Sequence, residues 1–222
     1  NKINITAIAQ GGSERNISLT VDSKDKIKAL NLIHDQFVFG GLKNIFLVGT
    51  GNIGGKLLEQ INELGGIFRV CGIINNKNMI LSERGIDLNN WKKALEKGEL
   101  ADFDKWLDGA KKLNFANKVF IDCTASEFIS KKYIEIAGAG FGIVSPNKKF
   151  NVLLMKEYKK LREILGNNGK RFMYETNVGA GLPVISTLRD LIASGDRVEK
   201  IEGIFSGTLS YIFNNFSRSE ER

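Results

Sequence analysis

The chain has 222 residues, 42% of them hydrophobic, enough for one large domain, alone or with attachments, around a substantial buried core. Its net charge is +7, yet the lysines and arginines are dispersed through segments such as "WKKALEKGE" and "YKKLR"; this argues against nucleic-acid binding and favours attraction of anionic metabolites and cofactor phosphates. No run approaches the roughly 18 apolar residues of a membrane span, and no secretory leader pattern opens the chain, so the expectation is a cytoplasmic protein that does not touch a membrane.

In chain order, "INITAIAQ" and "NISLTVD" alternate apolar and polar residues, placing Ile3, Ile5 and Ala7 on one face and Ile17, Leu19 and Val21 on another. Period two predicts half-buried strands, with "QGGSERN" as the turn between them. "SKDKIKALNLIHDQFVF" follows at helical spacing, with Ser23 as its cap and Gly40–Gly41 as its stop. The only histidine, His34, falls with Ile27, Leu30 and Phe37 on that helix and reads as structural or surface. "KNIFLVG" is a fully apolar strand, followed by a glycine turn and a helix bearing Leu57, Leu58, Ile61 and Leu64. "IFRVCGIIN" is a second buried strand. Residues 77–117 read as helical around Trp91, Leu95, Phe103 and Trp106. Then come strand "KVFIDCT", helix "EFISKKYIEIAGAG", strand "FGIVSPNKK" broken by Pro146, helix "NVLLMKEYKKLREILGNNG" and strand "KRFMYETNV". Helix "LPVISTLRDLIASG", strand "DRVEKIEGIFSG" and the start of a helix at "TLSYIFNNF" complete the chain. Strands alternating with helices predict an α/β fold, a Rossmann-type parallel sheet with helices on both faces.

The turn "GTGNIG" lies between a buried strand and an amphipathic helix, the context that gives this motif meaning. Gly49 permits the tight turn, Gly51 lets the backbone approach a pyrophosphate, and Gly54 lets helix and strand pack closely. With Thr50, Asn52 and Ile53 these residues form the expected phosphate cradle at a helix N-terminus. About 20 residues on, where an acid would hold a ribose 2′-hydroxyl, stands "IINNKN". Asn75 and Lys77 repel no phosphate, so NADP is expected in preference to NAD. "IDCTAS" places Asp122, Thr124 and Ser126 at a strand's C-terminal end, and "VSPNKK" places Lys148 at the next, where a lysine can orient a carbonyl or move a proton. "YETNVGAGLPVI" joins Glu175 to backbone freed by two glycines, a set of oxygens suited to a hard monovalent cation or an oxygen-rich substrate. Cys71 and Cys123 sit in apolar runs and read as buried free thiols of a reducing compartment.

Taken together, "FLVGTGNIGGKLLEQ", "IDCTAS", "VSPNKK", "YETNVGAGLPVISTLRDLIASGD" and "KIEGIFSGTLSYIFN" resemble homoserine dehydrogenase, in the family's order, over residues 42–216. "INITAIAQGGSERNISLTVD" resembles the end of an aspartokinase ACT regulatory region. Together they imply an internal piece of a bifunctional aspartokinase–homoserine dehydrogenase. Its expected parts are an ACT β-β-α remnant at 1–40, an NAD(P)-binding Rossmann domain at 41–175, and the truncated start of an α+β catalytic domain at 176–222.

The resemblance implies NAD(P)-dependent interconversion of aspartate semialdehyde and homoserine, in the branch to threonine and methionine. It implies that residues 49–54 hold the pyrophosphate, that Thr124 and Ser126 line the nicotinamide side, and that Lys148 is the catalytic lysine. It further implies a Na+ or K+ site at Glu175 and the carbonyls of Val178, Ala180 and Leu182. A regulatory amino acid, threonine, is expected near Gln10, and a homo-oligomer in the parent enzyme. The family's substrate-binding acids and second catalytic lysine fall beyond residue 222, so the expectation is cofactor binding without full activity. Two rivals stand beside this reading. A cysteine-dependent semialdehyde dehydrogenase is disfavoured by the apolar settings of Cys71 and Cys123. An ACT–Rossmann ligand- or redox-sensing module would bind cofactor without catalysis.

Overall fold

Two strands of the first forty residues pair only with each other. The computed structural model describes residues 3–10, 17–37, 41–204 and 206–220, without the side chains of 31, 34–37 and 217–220. The turn expected at 11–16, Gly40 as a helix stop and the surroundings of His34 therefore lie outside the described residues. β1 (Ile5–Gln10) runs antiparallel to β2 (Ile17–Val21), with Gln10 opposite Ile17 and a bulge between Ile5 and Ala7. The Asp22 side chain, not Ser23, caps the following 3-10 turn by accepting from the Lys24 amide at 3.2 Å, and α1 (Lys26–Phe37) follows. The half-burial expected of this ribbon does not occur: Ile5, Ile8, Ile17 and Leu19 are exposed. Two strands and one helix have no second layer with which to cover an apolar face.

A separate seven-stranded sheet has the order β6-β5-β4-β3-β7-β8-β9. At its centre β3 (Lys43–Val48) lies parallel to β4 (Phe68–Ile74) on one side and to β7 (Lys118–Asp122) on the other. β8 (Gly142–Val144) and the two-residue β9 (Phe172–Met173) extend the parallel part. The helical reading of 77–117 needs correction. α3 (Trp91–Glu96) and α4 (Phe103–Lys112) are there, but β5 (Asn78–Leu81) and β6 (Glu99–Leu100) add two antiparallel strands beside β4. "NMIL" is too short to hold a helix on its own, and a tight turn after β4 lets it satisfy its backbone as a hairpin.

Helices cover both faces, and β3 shows why. Ile45 and Leu47 pack on one side with Leu58 and Ile61 of α2 (Asn52–Leu64) and with Trp91 and Leu95 of α3. Phe46 points to the other side, edge-on to Trp106 of α4 at 6.1 Å and to Phe141 at 5.3 Å. That aromatic layer continues through Phe120, Tyr133, Phe150 and Phe172, all buried. On α2 the buried positions are Gly54, Leu58 and Ile61, a helical i, i+4, i+7 stripe, and Gly65 at φ 56° stops the helix by donating to the Ile61 carbonyl. The single helix expected over 127–140 is two, α5 (Glu127–Lys131) and α6 (Tyr133–Gly138), meeting at Lys132. α7 (Met155–Asn167) leads back to β9.

Residues Asn1–Met173 form one compact unit and Tyr174–Arg222 another. In the second, α8 (Val184–Ala193) and α9 (Gly207–Glu220) form as the periodicity predicts. The strand expected across "DRVEKIEGIFSG" does not form over 196–204. Among the described residues of that unit there is no strand for it to pair with, and an unpaired strand cannot satisfy its own backbone.

Candidate functional site

The chain leaves β3 towards β4 in one direction and returns to β7 in the other, so a crevice opens beyond the C-terminal end of β3. Ligands of open parallel sheets bind at this reversal. A cleft of about 700 Å³ lies there, lined by Gly49, Thr50 and Gly51, by Ile74, Asn75 and Asn76 after β4, by Ala101 and Phe103, and by Cys123, Thr124, Ser126 and Ile129 after β7. A groove of about 740 Å³ between β5 and α4 is no smaller, but it gathers no strand ends, and at its rim Lys105 is already paired with Glu99 at 2.6 Å.

The three glycines of the turn do three different jobs. Gly49 has φ 90°, and its amide donates to Ile74 O at 2.8 Å, tying the turn to the end of β4. A Cβ at Gly54 would lie 1.9 Å from the Gly49 carbonyl oxygen and 3.3 Å from Cys123 Cβ, so only glycine lets α2 sit this close to the turn. At Gly51 a Cβ would meet nothing within 4 Å; the space beyond it is open. Gly51 is also the N-cap of α2 and supplies no side-chain cap, so the first amides of the helix, at Asn52 and Ile53, keep their capacity for an anion.

Asn75 lines the cleft and is tied into the β4–β5 turn. Its Oδ1 accepts from the Lys77 and Asn78 amides, both at 2.8 Å, which closes the β4–β5 turn, and its Nδ2 donates to Thr50 Oγ1 at 3.3 Å. That turn holds Asn76 and Lys77 exposed at the mouth of the crevice, with no carboxylate beside them in "IINNKN". Thr124 and Ser126 are half-buried in the opposite wall. Thr124 donates through its amide and hydroxyl to Asp122 Oδ1 at 2.8 and 2.6 Å, and the Ser126 amide donates to Thr124 Oγ1 at 3.1 Å. Ser126 Oγ also caps α5, accepting from the Ile129 amide at 3.3 Å. Cys71 is buried as expected, but Cys123 is only partly so and forms part of the cleft wall. Burial, helped by the Asp122 charge, pushes its thiol up to about 12, which makes it a poor nucleophile. Lys148 is exposed in the loop after β8, one strand further along, outside the residues that line the cleft.

In the second unit, Glu175 opens a 3-10 turn instead of ending a strand. Its carboxylate accepts from the Ile185 amide at 2.8 Å and the Ser186 amide at 2.9 Å, which caps α8. Gly179 at φ 74° and Ala180 at φ 52° put the intervening backbone in left-handed conformations, and Ala180 is the only non-glycine with positive φ among the described residues. Such a residue costs on the order of 1 kcal/mol. Among the described residues no cluster of three His, Cys, Asp or Glu side chains is placed to hold a metal.

A glycine turn between a buried parallel strand and a helix, set at the reversal of strand order, defines a Rossmann-type dinucleotide-binding domain. The family profile "Homoserine dehydrogenase, NAD binding domain" matches residues 49–175, more than half of the chain, and the chain belongs to that family. An ACT domain profile matches residues 1–37, and a second homoserine dehydrogenase profile matches 183–222. Among relatives, bifunctional aspartokinase/homoserine dehydrogenase 1 (chloroplastic) of Arabidopsis thaliana is 43% identical across 96% of this chain. The bifunctional enzyme of Haemophilus influenzae is 43% identical across 95%. The chain spans only 25% and 27% of those two proteins. A Candida auris protein of unknown function, known from its crystal structure, superposes with a TM-score of 0.69 at 32% identity, covering 78% of this chain and 49% of that one. A hyperthermophilic archaeal homoserine dehydrogenase solved with NADPH shares the fold, with a TM-score of 0.55 at 23% identity over 67% of this chain and 48% of its own. Matches to enzyme domains over most of the chain leave the ligand-sensing module without support.

The sequence missed the residues behind the cleft wall, Tyr133, Ser145 and Asn147. Their one signal was a charged residue, Asp122, closing a strand after the apolar run Val119–Ile121.

Proposed function

We propose that this chain is the cofactor-binding portion of a homoserine dehydrogenase joined to an aspartokinase, interconverting aspartate semialdehyde and homoserine. The observation that carries this is the glycine turn opening a cleft at the strand reversal, within the span matched by the family profile. In this reading residues 1–40 belong to an ACT regulatory region, 41–175 to the NAD(P) domain and 176–222 to the start of the catalytic domain.

The amides of residues 49–54 bind the pyrophosphate against the positive end of α2. Thr124 and Ser126 orient the nicotinamide ribose and ring. Asn75 and Lys77, with Asn76 between them, face the adenosine ribose, and with no acid beside them NADP is preferred to NAD. When bound, the reduced nicotinamide supplies a hydride to the aldehyde carbon. Lys148 stabilises the charge that develops on the aldehyde oxygen and delivers the proton that makes it a hydroxyl. The carbonyls of Val178, Ala180 and Leu182, with Glu175, hold a Na+ or K+ ion. Threonine acts as regulator at an ACT site that includes Gln10, in a homo-oligomer working in a reducing compartment such as the cytoplasm.

Titration of the chain with NADPH and NADH, followed by nucleotide fluorescence, tests the cofactor reading. Tighter binding of NADPH is expected, and failure to bind either nucleotide overturns it. The catalytic reading is tested in the bifunctional enzyme, where Lys148→Met should lower aldehyde reduction by about 10²-fold or more while leaving NADPH affinity within about twofold. Unchanged turnover would remove Lys148 from the mechanism.

A further inference from the structure

Asp122 ends β7 with none of its surface exposed. A buried carboxylate is costly unless its oxygens are satisfied, and here four donors converge on it. Thr124 N and Thr124 Oγ1 donate to Oδ1; Tyr133 Oη, at 2.7 Å, and Asn147 Nδ2, at 2.9 Å, donate to Oδ2. Both side-chain oxygens are thus used as acceptors. The donors come from three separate places: the turn after β7, the start of α6 and the loop after β8.

A second layer ties these places to one another. The Ser145 hydroxyl lies 2.7 Å from Tyr133 Oη and 3.2 Å from the Asp122 carbonyl, and it accepts from the Asn147 amide at 2.9 Å. Asn147 Nδ2 also donates to the Ser126 carbonyl at 2.9 Å, and Asn147 Oδ1 accepts from the Lys149 amide at 3.0 Å. Tyr133 is fully buried between Phe150 and Phe172. Burial, reinforced by the neighbouring carboxylate, holds its hydroxyl well above the usual tyrosine range, so it stays a donor.

Stability alone does not account for this expenditure. Apolar side chains of similar volume generally serve a core as well as or better than a buried charge. What the carboxylate adds is a fixed relation between two loops, the one that bears Thr124 and Ser126 and the one that bears Lys148. We propose that Asp122 is a positioning residue for hydride transfer, clamping the 124–126 turn of the cleft wall to the 145–149 loop behind it. The proposal rests on the reading of that cleft as the NAD(P) site. It separates the two halves of the cofactor, because the adenosine ribose faces the turn after β4, which is tied to the glycine turn through Gly49 and Thr50, whereas the Asp122 carboxylate bonds run to Thr124, Tyr133 and Asn147.

The test uses the whole chain and the variant Asp122→Asn, which keeps the shape but turns one acceptor into a donor facing other donors. NADPH affinity should fall about tenfold or more, while affinity for adenosine 2′,5′-bisphosphate, which occupies only the adenosine half, changes by less than about twofold. In the unliganded protein, amides of 124–126 and 145–149 should exchange hydrogen about tenfold faster, with those of 52–55 unchanged. Asn147→Ala, which removes a single donor, should give the same pattern more weakly and decides the matter if Asp122→Asn does not fold. Equal losses for both ligands, uniformly faster exchange, or no change in either measurement would overturn the proposal. If the unsubstituted chain binds no nicotinamide nucleotide, the cofactor reading fails, and the role in hydride transfer fails with it. The exchange experiment would still report whether Asp122 clamps the two loops.

Discussion

Replacing Gly54 by alanine puts a Cβ 1.9 Å from the Gly49 carbonyl oxygen and 3.0 Å from its carbon, with Cys123 Cβ at 3.3 Å behind. Ordinary carbon–oxygen contact requires more than 3 Å, so α2 must withdraw from the turn by on the order of 1 Å, or the turn must open. Neither side can yield cheaply. Gly49 is tied to Ile74, the Cys123 amide donates to Val48 O at 2.8 Å, and Leu58 and Ile61 hold α2 in the core. Overpacking of this kind costs about 1–3 kcal/mol or more, and in a chain of this size about 1 kcal/mol lowers Tm by roughly 2–4 °C. Gly54→Ala should therefore lower Tm by about 2–12 °C and weaken NADPH binding, because the helix amides move away from the phosphates. Gly51→Ala is the control, since its Cβ meets no protein atom and the helix loses only a favoured cap residue, about 1 kcal/mol or less. It should nearly keep Tm yet lose about tenfold or more in NADPH affinity, the methyl lying where the pyrophosphate approaches. Thermal unfolding and nucleotide titration of both variants check this. A Gly54→Ala protein as stable as the parent, or a Gly51→Ala protein that binds NADPH normally, would refute the roles assigned to these glycines.

Lys118 gives a pH dependence of known sign. Its Nζ is buried over the Phe141 ring at 4.6 Å and donates to Lys111 O and Leu113 O. Burial first, then Lys170 and Lys28, lower its pKa from 10.5 to about 8. The unfolded chain holds that proton more tightly, so the Lys118 contribution to stability rises between about pH 8 and 10.5, by about 3 kcal/mol at most, and is lost as pH falls through 8. The raised Cys123 thiol works in the opposite direction above pH 9, so the comparison must be with Lys118→Met. Urea unfolding should show the two curves converging as pH rises, and parallel curves would contradict the assignment. At the mouth of the crevice, Lys77→Glu should cut NADPH affinity about tenfold and leave NADH affinity within about twofold. Equal loss for both would place the 2′-phosphate elsewhere.

The parts of this fold legible from sequence are those whose cause is local. A fully apolar strand, three spaced glycines and an amphipathic helix name a βα unit without reference to anything distant. β5 and the "DRVEKIEGIFSG" segment were misread in opposite senses for one reason: a short apolar run becomes a strand only if a neighbour offers it hydrogen bonds. "NMIL" has β4 beside it, and 196–204 has no strand beside it in its own unit. Asn75 was visible as a residue at the right place, but its turn-closing bonds depend on the hairpin that was missed. The clamp around Asp122 joins Tyr133, Ser145 and Asn147 from 11, 23 and 25 positions further along the chain, a separation over which residue patterns carry no phase. Glu175 was marked for a cation, while its use as the cap of α8 depends on a helix start ten residues later.

The seven-stranded sheet ends in β6 on one side and β9 on the other, each only two residues long. Neither edge offers a row of amides and carbonyls long enough to template a strand from a second molecule, so the sheet is guarded against edge-to-edge aggregation. The β1–β2 ribbon has no such guard. Its strands run to six and five residues, each paired on one side only, and they carry exposed isoleucines. Among the described residues, the ribbon is therefore the edge most open to strand addition from a second molecule.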